Sequence, residues 1–343
     1  MRKWLRRLTR IELVLIYLVI LAGSIVRMTG SGMGCPDWPK CFGYLVPPTE
    51  RAQLEWAPDR EFSRGQIIIV NEELRVAKED FVSGTAYTSD NWSAYTKHDY
   101  AVFNAFHTWT EYINRLLGAL SGIPMLLLVV SGILYVRRDW RVLLLSLTGL
   151  LLLGFEAWLG KLVVDGNLIP GSITIHMMGA LSIVAVLLVL LGINKEFKSI
   201  YYSRSFLAVL ILVILMSILQ IIMGTQIREQ VDVLNSAGMA RENWIDSLNW
   251  QFYFHRSFSI LILALNLWLW WQNRSKEHGI VELNFIMLVI LAEIFLGVVL
   301  NYLGMPKFAQ PLHLLLGAIL LGLQFFVLIR VLLSEKVRNT EFN

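Results

Sequence analysis

The chain has 343 residues, of which 56% are hydrophobic and 16% charged, with a mean hydropathy of +0.57. That balance excludes a soluble globular protein. The formal charge of +4 resides mainly in short loops between apolar runs, so it is a topology signal and not a nucleic-acid surface.

Eight runs are long enough to cross about 30 Å of hydrocarbon as helix: residues 11–27, 113–136, 141–161, 173–193, 205–226, 254–271, 281–301 and 311–333. An all-α integral membrane protein with eight transmembrane helices is expected. Ahead of the first run, "MRKWLRRLTR" is a basic segment, residues 1–10. It resembles the start of a signal peptide, but the apolar stretch is long and no small-residue cleavage site follows, which predicts a retained helix. Basic residues recur in "RRDWR" between the second and third runs. They recur again in "NKEFKS" with Arg204 between the fourth and fifth, and in "NRSK" between the sixth and seventh. Because Lys and Arg favour the cytoplasmic side, both termini are expected there, including a tail at 334–343. The absence of an obvious transit peptide favours a bacterial cell membrane.

The first run passes into "GSIVRMTGSGMGCPDWPKC", which contains both cysteines, Cys35 and Cys41. The topology places this loop, residues 28–102, outside, in the oxidising compartment where disulfides persist. Its later part, "TERAQLEWAPDREFSRGQIIIVNEELRVAKED", is charged and mixed, and is expected to form a small amphipathic layer on the membrane surface. The matching linker, residues 229–250, is shorter and lacks cysteine.

The two halves carry four landmarks in the same order. "GSIVR" ends the first run and "GTQIR" ends the fifth. "WTEYINR", with Asn114 and Arg115, opens the second, whereas "WQFYFHR", with His255 and Arg256, opens the sixth. Glu156 and Gly160 in the third run match Glu293 and Gly297 in the seventh, and twenty residues beyond each Glu stand His176 and His313. Two pseudo-symmetric four-helix bundles are therefore expected, an N-terminal half at 11–193 and a C-terminal half at 205–333, as parallel repeats.

Of six histidines, His107, His176, His255 and His313 fall at the outer ends of runs. An ionisable residue at a membrane span is a functional candidate by default, although a single histidine there can equally cap a helix or bond a neighbour. Two imidazoles facing each other across a bundle suit axial ligation of a haem iron. No cysteine or carboxylate cluster completes a zinc tetrahedron. Arg256 beside His255 suits a haem propionate, or is a snorkelling interfacial cation. In the first half the position of His255 is occupied by Asn114, a poor iron ligand. His107 lies about 10 Å further out on the same helical face, with Glu111 between them, so the three make one polar stripe.

A haem with one protein ligand is open to dioxygen, whereas a bis-histidine haem is saturated. This predicts a division of labour in which His255 and His313 feed electrons and a pocket with His176 and Glu111 does the chemistry, Glu111 as proton donor. Glu156 and Glu293 are candidates for polar links between helices.

These residues together resemble the haem A synthase family. "GSIVRMTGSGMGCPDWPKCFG" followed by "PP", a Glu-x-x-His-Arg signature met here as "EYINR", then His176, "FHR" and His313 carry the resemblance. It implies an oxidoreductase that converts the ring methyl of haem O to the formyl group of haem A by successive hydroxylations, in an eight-helix bundle of two halves. It implies haem b held by His255 and His313, a substrate haem near His176, a functional Glu111, and a role for Asn114, Arg115 or His107 where the signature departs. Cys35 and Cys41 match a family pair that forms a disulfide or helps handle the substrate. Implied partners are a haem O synthase, a haem-containing terminal oxidase or its assembly factors, an electron donor and membrane lipid. Two other readings stay open: a bis-histidine cytochrome b that only relays electrons, and a parallel-repeat transporter. The transporter predicts broken helices, for which Pro124 is the only strong breaker seen.

Overall fold

The computed structural model describes residues 1–96, 102–165, 171–200 and 202–334. The last part of the long loop, 97–101, and of the tail, 335–343, lies outside the described residues. Among the described residues, eight helices are long and apolar enough to cross a membrane: α1 Arg2–Thr29, α2 Ala105–Tyr135, α3 Trp140–Asp165, α4 Ser172–Ile193, α5 Arg204–Ser236, α6 Trp250–Ser275, α7 Glu282–Tyr302 and α8 Ala309–Leu333. The chain is a multi-pass membrane protein.

Helix ends differ from the apolar runs where polar residues continue the helix beyond hydrocarbon. The basic segment 1–10 is the first part of α1, α5 continues to Ser236, and α2 starts early enough to contain His107 and Glu111. Polar caps set these limits. Asn104 accepts the amides of Phe106 and His107 at the start of α2, and Asn249 accepts that of Gln251 at the start of α6. Helices α1 and α5 end in the same way. Gly30 and Gly238 adopt φ of +70° and +74°, and the next residues, Ser31 and Met239, donate to Val26 and Leu234. That is the paired bonding of a glycine-terminated helix.

The chain forms two compact units. In the first, residues 1–21, 120–156 and 173–343, α5 packs on α6, α6 on α7, α7 on α8, and α8 back on α5. Leu210 and Val213 of α5, Leu269 of α6, Ile286 of α7 and Val327 of α8 are fully buried in its core. Leu215, Ile260, Leu288 and Phe295 remain exposed, as side chains facing lipid must.

The second unit, residues 22–119 and 157–172, contains strands where an amphipathic layer was expected. β1 (Glu61–Phe62) pairs with β4 (Phe81–Val82), and β2 (Ile67–Val70), β3 (Glu73–Ala77) and β5 (Trp92–Ala94) form a second antiparallel sheet. Asn71 and Glu72, both at positive φ, make the two-residue hairpin that joins β2 to β3. Ile67 and Ile69 face a cluster with Cys35, Cys41, Phe42 and Leu54, while Ile68 faces Phe62, Ala77 and Trp92. Both faces are covered, so β2 has no polar alternation to reveal it.

Candidate functional site

The Glu–His spacing shared by the two halves is a pair of contacts. The carboxylate of Glu156 in α3 stands against His176 Nδ1 in α4, and Glu293 Oε2 in α7 lies 2.5 Å from His313 Nδ1 in α8. Neither contact has the alignment of a directed hydrogen bond; each sets an anion beside one ring nitrogen and leaves Nε2 for another partner. A carboxylate behind a ligating histidine fixes its tautomer and strengthens it as a donor. Gly179 makes room for this on α4, since a Cβ there would lie 1.8 Å from Glu156 Oε1.

His255 of α6 and His313 of α8 stand ring to ring, their centroids 6.3 Å apart and their planes at 80°. Two imidazoles on opposite sides of one metal ion, each with a nitrogen–metal bond of about 2 Å, have centroids about 6 Å apart. The spacing therefore fits a bis-imidazole metal centre. His255 Nδ1 is buried without a partner, and Gln220 of α5 fixes the turn below by donating to the His255 carbonyl at 2.7 Å. Among the described residues no group of three or more His, Cys, Asp or Glu side chains is arranged to hold a bare ion. A porphyrin iron brings four nitrogens of its own, so His255 and His313 would suffice to hold one. Arg256 is exposed and lies over the Tyr253 ring at 5.5 Å.

At the start of α2 the residues expected to act are bound to the cysteine loop. Cys35 and Cys41 form a disulfide. The Cys35 amide donates to Glu111 Oε2 at 3.0 Å, and Thr108 Oγ1 donates to the Gly34 carbonyl at 2.8 Å. Trp109 Nε1 donates to Pro48. Arg115 donates to the carbonyls of Asp37 and Lys40 at 2.6 and 3.0 Å and pairs with Glu111. Successive turns of α2 thus grip the loop. A Cβ on Gly34 would lie 2.5 Å from the His107 carbonyl, so only glycine permits this approach. Asp37 Oδ2 accepts the Gly43 amide at 2.9 Å. Burial pushes its carboxyl above the ordinary range, while the Gly43 and Phe42 amides and Arg115 oppose that shift. His107 Nδ1 bonds Ser31 at 2.8 Å. Asn114 Oδ1 is buried without a hydrogen bond, 3.7 Å from the point where Gly23 would carry a Cβ. The equivalent contact in the other half sets His255 Cε1 3.5 Å from that point on Gly224.

The sequence profile of the COX15-CtaA family, described as "Cytochrome oxidase assembly protein", matches residues 6–83 and 86–325. The chain belongs to this family. Among curated relatives, a protein of Shewanella oneidensis named "Heme A synthase" is 27% identical over 70% of this chain. The match spans 62% of that relative's length. A "Heme A synthase" of Beijerinckia indica is 23% identical, with 90% of this chain and 88% of the relative covered. One from Shouchella clausii is 46% identical over 48 residues.

Family membership agrees with the resemblance carried by the cysteine loop, the α2 and α6 openings and the paired histidines. Sequence reasoning missed Ser31, Thr108 and Asp37 as the residues that lock the loop to α2, because each acts through contacts distant in sequence. It noted Glu156 and Glu293 but not that they back the histidines, although the repeated spacing of twenty residues was the signal.

Proposed function

We propose that the protein is a haem A synthase, an oxidoreductase that converts the ring methyl of haem O to the formyl group of haem A by successive hydroxylations. The edge-to-face approach of His255 and His313 at 6.3 Å, with Glu293 behind one ring, carries the reading. In it, His255 and His313 hold haem b, which supplies one-electron transfer when bound. Arg256, exposed at the start of α6, pairs with a propionate. Glu293 orients the His313 ring, and Gln220 holds the His255 turn.

The family resemblance assigns the substrate haem to His176, oriented by Glu156. It also gives roles to His107, whose Nδ1 is held by Ser31, and to Asn114, whose carbonyl oxygen is a poor iron ligand. Glu111 holds the proton that the oxidation requires, with Arg115 beside it to stabilise the carboxylate after transfer. The disulfide keeps the Cys35 amide on Glu111, so the loop orients the proton donor. Dioxygen and an external electron donor are the co-reactants. The product serves a haem-A-containing terminal oxidase or its assembly factors, and a haem O synthase supplies the substrate. The protein sits in the cell membrane with both termini cytoplasmic.

The test is to co-express the chain with a haem O synthase in a host lacking haem A, and to separate the extracted haems by chromatography and mass. Haem A or its hydroxylated precursor, dependent on Glu111, supports the assignment. Unchanged haem O beside stoichiometric haem b, with a competent electron donor present, replaces it with the cytochrome b that only relays electrons.

A further inference from the structure

The start of α1 carries charge that the haem chemistry does not use. Lys3, Arg6, Arg7 and Arg10 line an open cleft of about 460 Å³ together with Ile11. Among the described residues none of the four has an ion-pair partner. The neighbouring Arg2 is the contrast, since it lies 3.8 Å from Glu196.

At 100° per residue, positions 3, 6, 7 and 10 fall on one face of about 100°, and positions 11, 14 and 18 continue it. Ile11, Val14 and Leu18 are 43, 59 and 41% exposed. One stripe of α1 therefore runs from four unpaired cations into an uncovered apolar ridge. The cations cover about 10 Å of helix, more than one phosphate group can span.

The geometry points to a binding site for an anionic phospholipid, with the headgroup in the cleft and an acyl chain along Ile11, Val14 and Leu18. A headgroup with two phosphates matches the length of the cationic face better than one with a single phosphate. Charge complementarity selects the headgroup, and the apolar ridge distinguishes a lipid from a soluble phosphate.

The experiment is native mass spectrometry of the purified full-length protein in detergent, titrated with diphosphatidylglycerol, phosphatidylglycerol or phosphatidylcholine, and with inorganic pyrophosphate as competitor. The expected order is diphosphatidylglycerol over phosphatidylglycerol over phosphatidylcholine, with pyrophosphate a weak competitor. Arg7→Gln is expected to weaken diphosphatidylglycerol binding about fivefold, and Arg6→Gln with Arg10→Gln more than tenfold. Both variants retain basic residues for membrane insertion, and the lipid comparison on the unaltered protein stands if either misfolds. Equal retention of phosphatidylcholine, or folded variants that bind unchanged, overturns the site. Displacement by equimolar pyrophosphate overturns the lipid and leaves a soluble anion.

Discussion

The openings of α2 and α6 are built on one plan and put to different uses. Each carries a polar residue beside a glycine of the preceding repeat helix, Asn114 beside Gly23 and His255 beside Gly224. At α6 the polar residue is an imidazole set edge to face against a second imidazole, and the following arginine is exposed. At α2 it is an amide, and the following arginine is consumed by a disulfide-closed loop that also binds Glu111. The two openings thus share a polar residue beside a glycine and differ in what surrounds it, a second imidazole at α6 and a disulfide-closed loop with a carboxylate at α2.

The largest expected effect breaks the α6 side. His255→Ala or His313→Ala removes half of a two-imidazole centre, and purified protein is expected to lose stoichiometric haem b in its absorption spectrum. Haem b retained in both variants would sink the ligand assignment. Glu111→Gln addresses the α2 side. It keeps an acceptor for the Cys35 amide but cannot hold the proton, so haem b is expected to stay while turnover falls at least about 100-fold. Loss of haem b in that variant would mean that the two openings do not act separately.

The two Glu–His pairs allow a finer comparison. Glu293→Gln, behind His313, is expected to weaken haem b retention by about 10–100-fold and to shift its reduction midpoint. Glu156→Gln is expected to leave both unchanged and to lower turnover. Titration of the two purified variants against haem and against a redox mediator separates these outcomes, and identical behaviour would erase the distinction between the halves.

The sequence discloses this comparison unevenly. The helices are legible because each needs about twenty apolar residues, and the Asn114 for His255 exchange is visible once "EYINR" is set beside "WQFYFHR". The start of α1 is misjudged because hydropathy stops at the basic residues whereas the helix does not. The small sheets escape notice because β1 and β4 are two residues each and Ile67 to Ile69 are buried on alternating faces without polar residues between them. The grip of α2 on the cysteine loop depends on Cys35 meeting Glu111 and Thr108 meeting Gly34, 76 and 74 residues apart. No local pattern encodes such a contact, although the glycine at 34 is its trace.

The smaller effects concern the loop that α6 lacks. Replacing Cys35 and Cys41 with serine removes a short covalent closure, which costs about 2 kcal/mol in a chain-entropy account. Thermal unfolding should show this loss for the second unit, and wild-type protein under reductant should match the variant. Turnover should fall as well, since the loop that sets the backbone amide of residue 35 on Glu111 is no longer closed.

Asp37 gives the smallest and most specific effect. Burial raises its carboxyl above the ordinary value of 3.8, so the folded loop binds a proton more tightly than the unfolded chain does. Its contribution is complete below the unfolded pKa and is lost as pH rises through the raised folded value. Asp37→Asn retains an acceptor for the Gly43 amide and removes the titration. The variant is expected to show a flatter stability profile from about pH 4 upward, with haem b at α6 untouched. A profile identical to wild type would mean that the Gly43 and Phe42 amides and Arg115 already offset the burial, which would place the loop's rigidity in its hydrogen bonds to α2 and leave no share for a buried carboxyl.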